Sequence, residues 1–254
     1  RILCTDPALH GGAESPDANG IDPKTRAVVI TEGQRSAWTF RPESSAEESI
    51  ERTAKAAQVT MPTAASVFSL AAVSSSPDIS NTNVPHPHPG AAVRPAGVAG
   101  SFYPSSPPAL AAIVKSCLGD IPETKERWPA VMVPHAGLQY SGRIAGDVLK
   151  NIEIPDTVIV IGPKHTRDGV DWAVAPHEIW QLPGATMASD TELARLLADR
   201  IDGLQLDAAA HALEHCIEVE LPLIQHLAPE TKVVGIAISG GNPDRCRKFG
   251  QQLA

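Results

Sequence analysis

Histidine is the side chain best suited to ligate a transition metal or relay a proton near neutral pH, and two of the nine histidines in this 254-residue chain occupy places where such chemistry is done. His135 lies in Val133-Pro-His-Ala-Gly137, at the carboxyl end of a short apolar run, Pro129 to Val133, that reads as a strand. His165 lies in Ile161-Gly-Pro-Lys-His-Thr166, at the end of a second run, Thr157 to Ile161. In sheets flanked by helices, ligands bind beyond the carboxyl ends of the strands. Two consecutive strand ends that each carry an imidazole therefore place both rings within reach of one centre, and imidazole nitrogen is a common ligand for iron, copper and zinc. The plain alternative is a pair of histidines that each hydrogen-bond and fix a turn.

A third candidate is His211-Ala-Leu-Glu-His-Cys-Ile-Glu218, read as the entry to a helix over residues 214–227. On a helix His215 and Glu218 share a face, so they either line a site together or hydrogen-bond each other. Acidic residues are also favoured at a helix amino terminus for the dipole alone. Cys216 is either a soft ligand or a small hydrophobe. The phosphate-cradling motifs GxGxxG and GxxxxGK[ST], the GxSxG nucleophile elbow and the HExxH zinc helix do not occur.

The elements that must position these residues follow from hydrophobic periodicity. After Pro95 the pattern predicts helices over 107–118, 141–151, 190–200, 214–227 and 243–253, alternating with strands at 129–133, 157–161, 171–175 and 232–239. Apolar strands between amphipathic helices predict an α/β fold, a mostly parallel sheet with helices on both faces. Upstream, strands at 26–31 and 36–40 and a helix over 44–58, opened by the capping box Ser45-x-x-Glu48, predict a small α/β segment over residues 1–73. The Ser-, Asn- and Pro-rich stretch from Ser74 to Pro89 predicts a linker over 74–93, leaving residues 94–254 as the main domain.

Composition narrows the function classes. With 43% hydrophobic and 20% charged residues the chain is ordinary globular protein. A net charge of −8 without a basic cluster argues against a nucleic-acid partner, and no apolar run approaches the length of a bilayer span, which argues against a membrane. Four cysteines far apart, with no CxxC, fit reduced thiols and a cytoplasmic location.

Four fragments taken together resemble one family. Gly97-Val-Ala-Gly-Ser-Phe-Tyr-Pro104, Val133-Pro-His-Ala-Gly137 with Tyr140-Ser-Gly142, Ile161-Gly-Pro-Lys-His-Thr166, and Glu214-His-Cys-Ile-Glu-Val-Glu-Leu-Pro222 look like the successive signatures of Memo proteins, also called AmmeMemoRadiSam system protein B. The resemblance covers about residues 94–254. It implies a fold like that of the class III extradiol ring-cleaving dioxygenases, metal ligands at His135 and His165, and a pocket lined by His215 and Glu218 as catalytic residues. Cys216 stands where the family usually has serine. The resemblance further implies an incomplete copy of the domain, truncated on its carboxyl side. The function expected from it is a metal-capable protein, a non-haem iron- or copper-dependent oxidation catalyst with zinc as the competing ion, acting on a small molecule or peptide. The alternative is a non-catalytic module whose dioxygenase-like pocket recognises a peptide or a modified side chain.

Overall fold

A computed structural model describes residues 2–254. They form two compact units, one running to His86 and including 240–246, the other comprising 87–239 and 247–254.

The first unit is built on five antiparallel strands, β1 (Ile2–Gly12), β2 (Arg26–Glu32), β3 (Arg35–Phe40), β4 (Ser66–Ser74) and β5 (Ile79–Asn83), in the order β1-β4-β2-β3-β5. One helix, α1 (Ala46–Ala56), packs Ile50 against Val28, Ile30, Ala37 and Val67. The capping box forms as its sequence predicts: the Glu48 N–H donates to Ser45 Oγ at 3.1 Å and the Ser45 N–H to Glu48 Oε2 at 3.2 Å. Within the stretch read as linker, Ile79–Asn83 is an outer strand paired with β3, while 84–92 carries no regular secondary structure. Pairing of this kind uses the backbone, so Ser80, Asn81, Thr82 and Asn83 join the sheet with their side chains exposed.

The second unit contains β6 (Val93–Arg94), α2 (Pro107–Leu118), α3 (Leu138–Leu149), β7 (Thr157–Pro163), β8 (Trp172–Val174), β9 (Ile179–Leu182), β10 (Ala185–Ala188), α4 (Thr191–Arg200), β11 (Gln205–Leu206), α5 (Leu221–Leu227) and β12 (Lys232–Ile238), with the end of α6 (Pro243–Leu253). Its main sheet has the order β11-β8-β12-β7. Strands β12 and β7 run parallel from Lys232 opposite Thr157 to Ile238 opposite Pro163, and β8 is parallel to β11 but antiparallel to β12. A smaller sheet, β10-β9-β6, lies in the same unit.

Helices cover both faces because the side chains of β12 alternate. Val233 and Ala237 join a core with Leu110 and Val114 of α2, Ala145 of α3 and Leu221 and Leu223 of α5. Val234 and Ile236 join the opposite core with Trp172, Ala194, Leu197 and Phe249. The fold is thus mixed α/β: two pairings of the main sheet are parallel as expected, and the third, β8–β12, is antiparallel. Periodicity reports which faces are buried but not the direction of a three-residue strand.

Two further expectations change. Residues 129–133 form no strand, and Met132 is 92% exposed. The helix expected over 214–227 begins only at Leu221. Pro222, which suits a first helical turn, marks that start, and the preceding residues are held in turns by contacts described below.

The second core sets an expected outcome. Phe249 lies edge-on to Trp172 with ring centroids 5.2 Å apart. Phe249→Ala should destabilise this unit by about 3 kcal/mol, the cost of an emptied aromatic site. Urea unfolding monitored by tryptophan fluorescence measures it.

Candidate metal centre

Three histidines meet at the carboxyl end of β7. The ring centroids of His135 and His165 are 5.3 Å apart, those of His165 and His215 4.2 Å, and those of His135 and His215 5.8 Å. One ring nitrogen from each lies within 4.8 Å of the others. That is close to the spacing of roughly 3–4 Å which bonds of about 2 Å to a single ion impose. The donor set therefore fits one transition-metal ion with modest side-chain adjustment.

Each ring is held by a different device. His135 precedes α3, whose first turn is anchored by the Leu138 N–H donating to the Phe102 carbonyl at 2.9 Å and by Ser141 Oγ donating to the Ala136 carbonyl at 2.9 Å. His215 stacks on the Phe102 ring at 4.2 Å with an interplanar angle of 24°. His165 Nδ1 lies 2.8 Å from Glu214 Oε1. Facing an ionised carboxylate, that nitrogen is the protonated one, which leaves the lone pair on Nε2 free for a ligand.

Glu214 is nearly inaccessible, at 1% exposure. Burial alone would push its carboxyl up, but hydrogen bonds from the His165 ring and from the backbone N–H groups of His165, Cys216 and His215 outweigh that and hold it at about 2. It is therefore a fixed negative charge throughout the physiological range. Burial, then the neighbouring His165, lowers the pKa of His135 and likewise that of His215. Both rings are thus kept neutral, the form in which imidazole binds metal.

A second group, His165, Glu214 and Cys216, also has ligand atoms within 4.8 Å of one another. Burial and the Glu214 charge push the Cys216 thiol well above its usual range, so it is a protonated thiol and a poor ligand. Its Sγ packs on β7 instead. A Cβ built on Gly162 would meet that sulfur at 2.5 Å, which accounts for glycine at this position.

The carboxylate that reaches the histidines is Glu214. Glu218 is fully buried elsewhere, accepting from the Arg94 guanidinium, the Tyr103 hydroxyl and the backbone N–H groups of Gly97 and Val98, the last two at 3.0 Å. Burial and then Glu218 push the Tyr103 phenol up, so its proton stays in place. Arg94, 1% exposed, also donates from Nε to the His211 carbonyl at 2.8 Å, from Nη2 to the Glu214 carbonyl at 2.9 Å and from Nη1 to the Pro95 carbonyl at 3.2 Å, and it lies over the Trp180 ring at 4.7 Å. Beside it His211 is driven down to about 3 by burial and the Arg94 charge and is neutral.

These contacts explain why the expected helix is absent before Leu221. In a helix the Glu214 carbonyl would accept from the Glu218 N–H, but Arg94 takes that carbonyl. The Glu214 side chain in turn accepts from the N–H groups of His215 and Cys216 at 2.9 and 3.2 Å, a local bonding pattern that competes with helix. Sequence reasoning selected His135, His165, His215 and Glu218, gave no site role to Phe102 and Tyr103, and passed over Arg94. The signal that could have found them is the Arg94 to Pro104 segment, where an arginine and two aromatics crowd a run of small residues.

The match to known proteins falls on this unit. A family model described as Memo-like protein matches residues 94–254. A MEMO1 family protein of Methanopyrus kandleri is 34% identical over 173 residues, covering 63% of this chain and 61% of the relative. Similar proteins occur in Aquifex aeolicus, 35% identical over 162 residues with 63% and 60% covered, and in Methanobrevibacter smithii, 36% identical over 161 residues with 58% and 57% covered. The chain spans about three fifths of the length of these relatives.

Two outcomes test the polar framework. Arg94→Met should cost about 3–5 kcal/mol, the usual penalty for stranding a buried charge, and Arg94→Met with Glu218→Gln should recover part of it in the same urea titration. Glu220 lies just before α5, and its Oε2 has no partner among the described residues; burial pushes its carboxyl up to about 8. A raised carboxyl favours the protonated native state, so its ionisation lowers stability as pH climbs from about 4.5 through about 8. Glu220→Gln should match the wild type near pH 4.5 and exceed it above pH 8 by on the order of 5 kcal/mol. Unfolding curves at the two pH values provide the comparison.

Proposed function

Because the chain belongs to the Memo-like protein family, we propose that His135, His165 and His215 hold one transition-metal ion, iron or copper with zinc as the competing ion, and that the protein is a metal-dependent oxidation catalyst acting on a small molecule or peptide. The observation that supports this most is the convergence of three ring nitrogens, one of them oriented by a buried, ionised carboxylate. An ion bound there would supply Lewis acidity and, for iron or copper, one-electron redox chemistry.

The chain's own groups have distinct roles in this reading. His135 and His215 offer neutral nitrogens without first losing a proton. Glu214 holds the His165 proton at Nδ1, fixing the tautomer and raising the basicity of Nε2. The Phe102 ring shields one face of His215 and limits its rotation. Glu218 acts at a distance as a positioning residue: through Arg94 it fixes the carbonyls of residues 211 and 214, and with them the backbone that carries Glu214 and His215.

The test is titration of the metal-free protein with Fe(II), Cu(I) and Zn(II) by calorimetry, with bound metal counted by elemental analysis. The expected result is one ion per chain. His135→Ala and His165→Ala should each weaken binding by about 100-fold or more, and Glu214→Gln by about 10–100-fold, the usual effect of losing an outer-shell partner. Failure of all three ions to bind would overturn the metal reading and leave the non-catalytic binding module.

A further inference from the structure

One peptide bond of β1 is held in a reactive setting. The register of β1 against β4 breaks between Thr5 and Pro7, so Asp6 sits in a bulge with Pro7 directly after it. Asp6 has φ 51°, in the left-handed region that residues other than glycine seldom occupy. A residue that precedes proline prefers extended backbone, which makes the conformation doubly unfavourable. Such strain persists only where the surrounding structure enforces it.

The enforcing group is Arg26 of β2. Its Nη2 donates to the Asp6 carbonyl at 2.6 Å, and its Nη1 lies 3.3 Å from Asp6 Oδ2, so one guanidinium engages both the carbonyl and the carboxylate of the same residue. The guanidinium is itself fixed from β4: Nε donates to Ser69 Oγ at 2.7 Å and Nη2 to the Ser69 carbonyl at 3.2 Å. Because arginine can only donate, the buried Ser69 hydroxyl directs its own proton to His10 Nε2, 2.8 Å away. An exposed ion pair by itself contributes little. A donor held rigidly on a carbonyl is different, since it stabilises the negative charge that develops on the oxygen when the carbon is attacked. The attacking group is supplied by the same residue, because an aspartate carboxylate can close a small ring on its own carbonyl carbon. The Asp6 side chain is 78% exposed, so water has access.

We propose that the Asp6–Pro7 bond is a self-cleavage site, with the Asp6 carboxylate as nucleophile and Arg26 as the group that polarises and positions the carbonyl. A carboxylate oxygen of Asp6 bonds to the Asp6 carbonyl carbon, and the C–N bond to Pro7 breaks. The departing electron pair takes a proton from water, which leaves a cyclic anhydride at residue 6 and a free secondary amine at Pro7. Water then opens the anhydride to two carboxylates. One water is consumed in all, and nothing is oxidised or reduced. Proline suits the leaving position because its nitrogen carries no N–H to tie it into the ladder.

The experiment follows the purified full chain near neutral pH by intact mass and amino-terminal sequencing. A product beginning at Pro7 should accumulate at least about tenfold faster from the folded chain than from the same chain unfolded in urea at equal pH and temperature. Asp6→Gly accepts the positive φ but removes the nucleophile, so it should fold and yield no product. Arg26→Lys, which cannot fork onto two oxygens, should slow cleavage by at least about tenfold while circular dichroism shows the fold retained. In oxygen-labelled water the anhydride opens at either carbonyl, so label should enter both carboxylates of residue 6. Absence of cleavage, a folded rate no greater than the unfolded one, cleavage of the Asp6→Gly chain, or label confined to the α-carboxylate overturns the proposal. An unchanged rate in folded Arg26→Lys overturns the role of Arg26. Should that variant fail to fold, the urea comparison, Asp6→Gly and the label still decide the cleavage itself.

Discussion

The pairing of Arg94 with Glu218 inside the second unit is the constraint around which its site is arranged. Both side chains are withdrawn from water, which costs several kcal/mol per ion unless nearly every donor and acceptor is used. Here the demand is met. The guanidinium serves three backbone carbonyls as well as the carboxylate, and the carboxylate accepts from a phenol and two backbone N–H groups besides Arg94. A lysine could not replace Arg94, because one ammonium cannot reach carbonyls in three directions while stacking on Trp180. The pair consequently ties the segment around Gly97, Val98 and Tyr103 to the chain between His211 and Glu218, two stretches more than a hundred residues apart in sequence.

What this tie determines is the shape of residues 211–220. With the Glu214 carbonyl bonded to Arg94, residues 211–220 form turns with a single i→i−4 bond, from the Val219 N–H to the His215 carbonyl, and Glu214 turns its carboxylate onto the N–H groups of His165, His215 and Cys216. A continuous series of hydrogen bonds thus runs from the ion pair through the Glu214 backbone and its carboxylate to the His165 ring. Order in the histidine group depends on buried polar contacts that leave no freedom of register, while burial and the neighbouring His165 keep the His135 and His215 rings neutral. Such an arrangement presents lone pairs without a prior deprotonation step.

The main sheet supplies the frame and also sets its boundary. Its central strand β12 is buried on both faces, and β7 delivers His165 from the edge position. The site therefore lies where regular pairing stops. Residues 129–133, which lead to His135, form no strand and have no ladder of their own, so His135 is held by the first turn of α3 and by Phe102 in place of strand pairing.

Much of this was legible in the amino-acid order. The two apolar runs and the short motifs after them selected His135 and His165, the helix periodicities located α2, α3, α4 and α6, and Ser45 with Glu48 announced the start of α1. These are local signals: side-chain alternation, capping and turn chemistry act within a few residues, so a linear reading captures them. The direction of β8, the pairing of Ile79–Asn83 and the absence of a strand at 129–133 were not legible, because pairing depends on which distant backbone offers a ladder. The same limit applies to the carboxylate of the site. Glu214 and Glu218 look alike in sequence, one turn apart on an imagined helix. Only Arg94, brought in from far upstream, decides that Glu218 is consumed by an ion pair while Glu214 reaches His165, since the energy of a buried charge is set by whatever the fold places beside it.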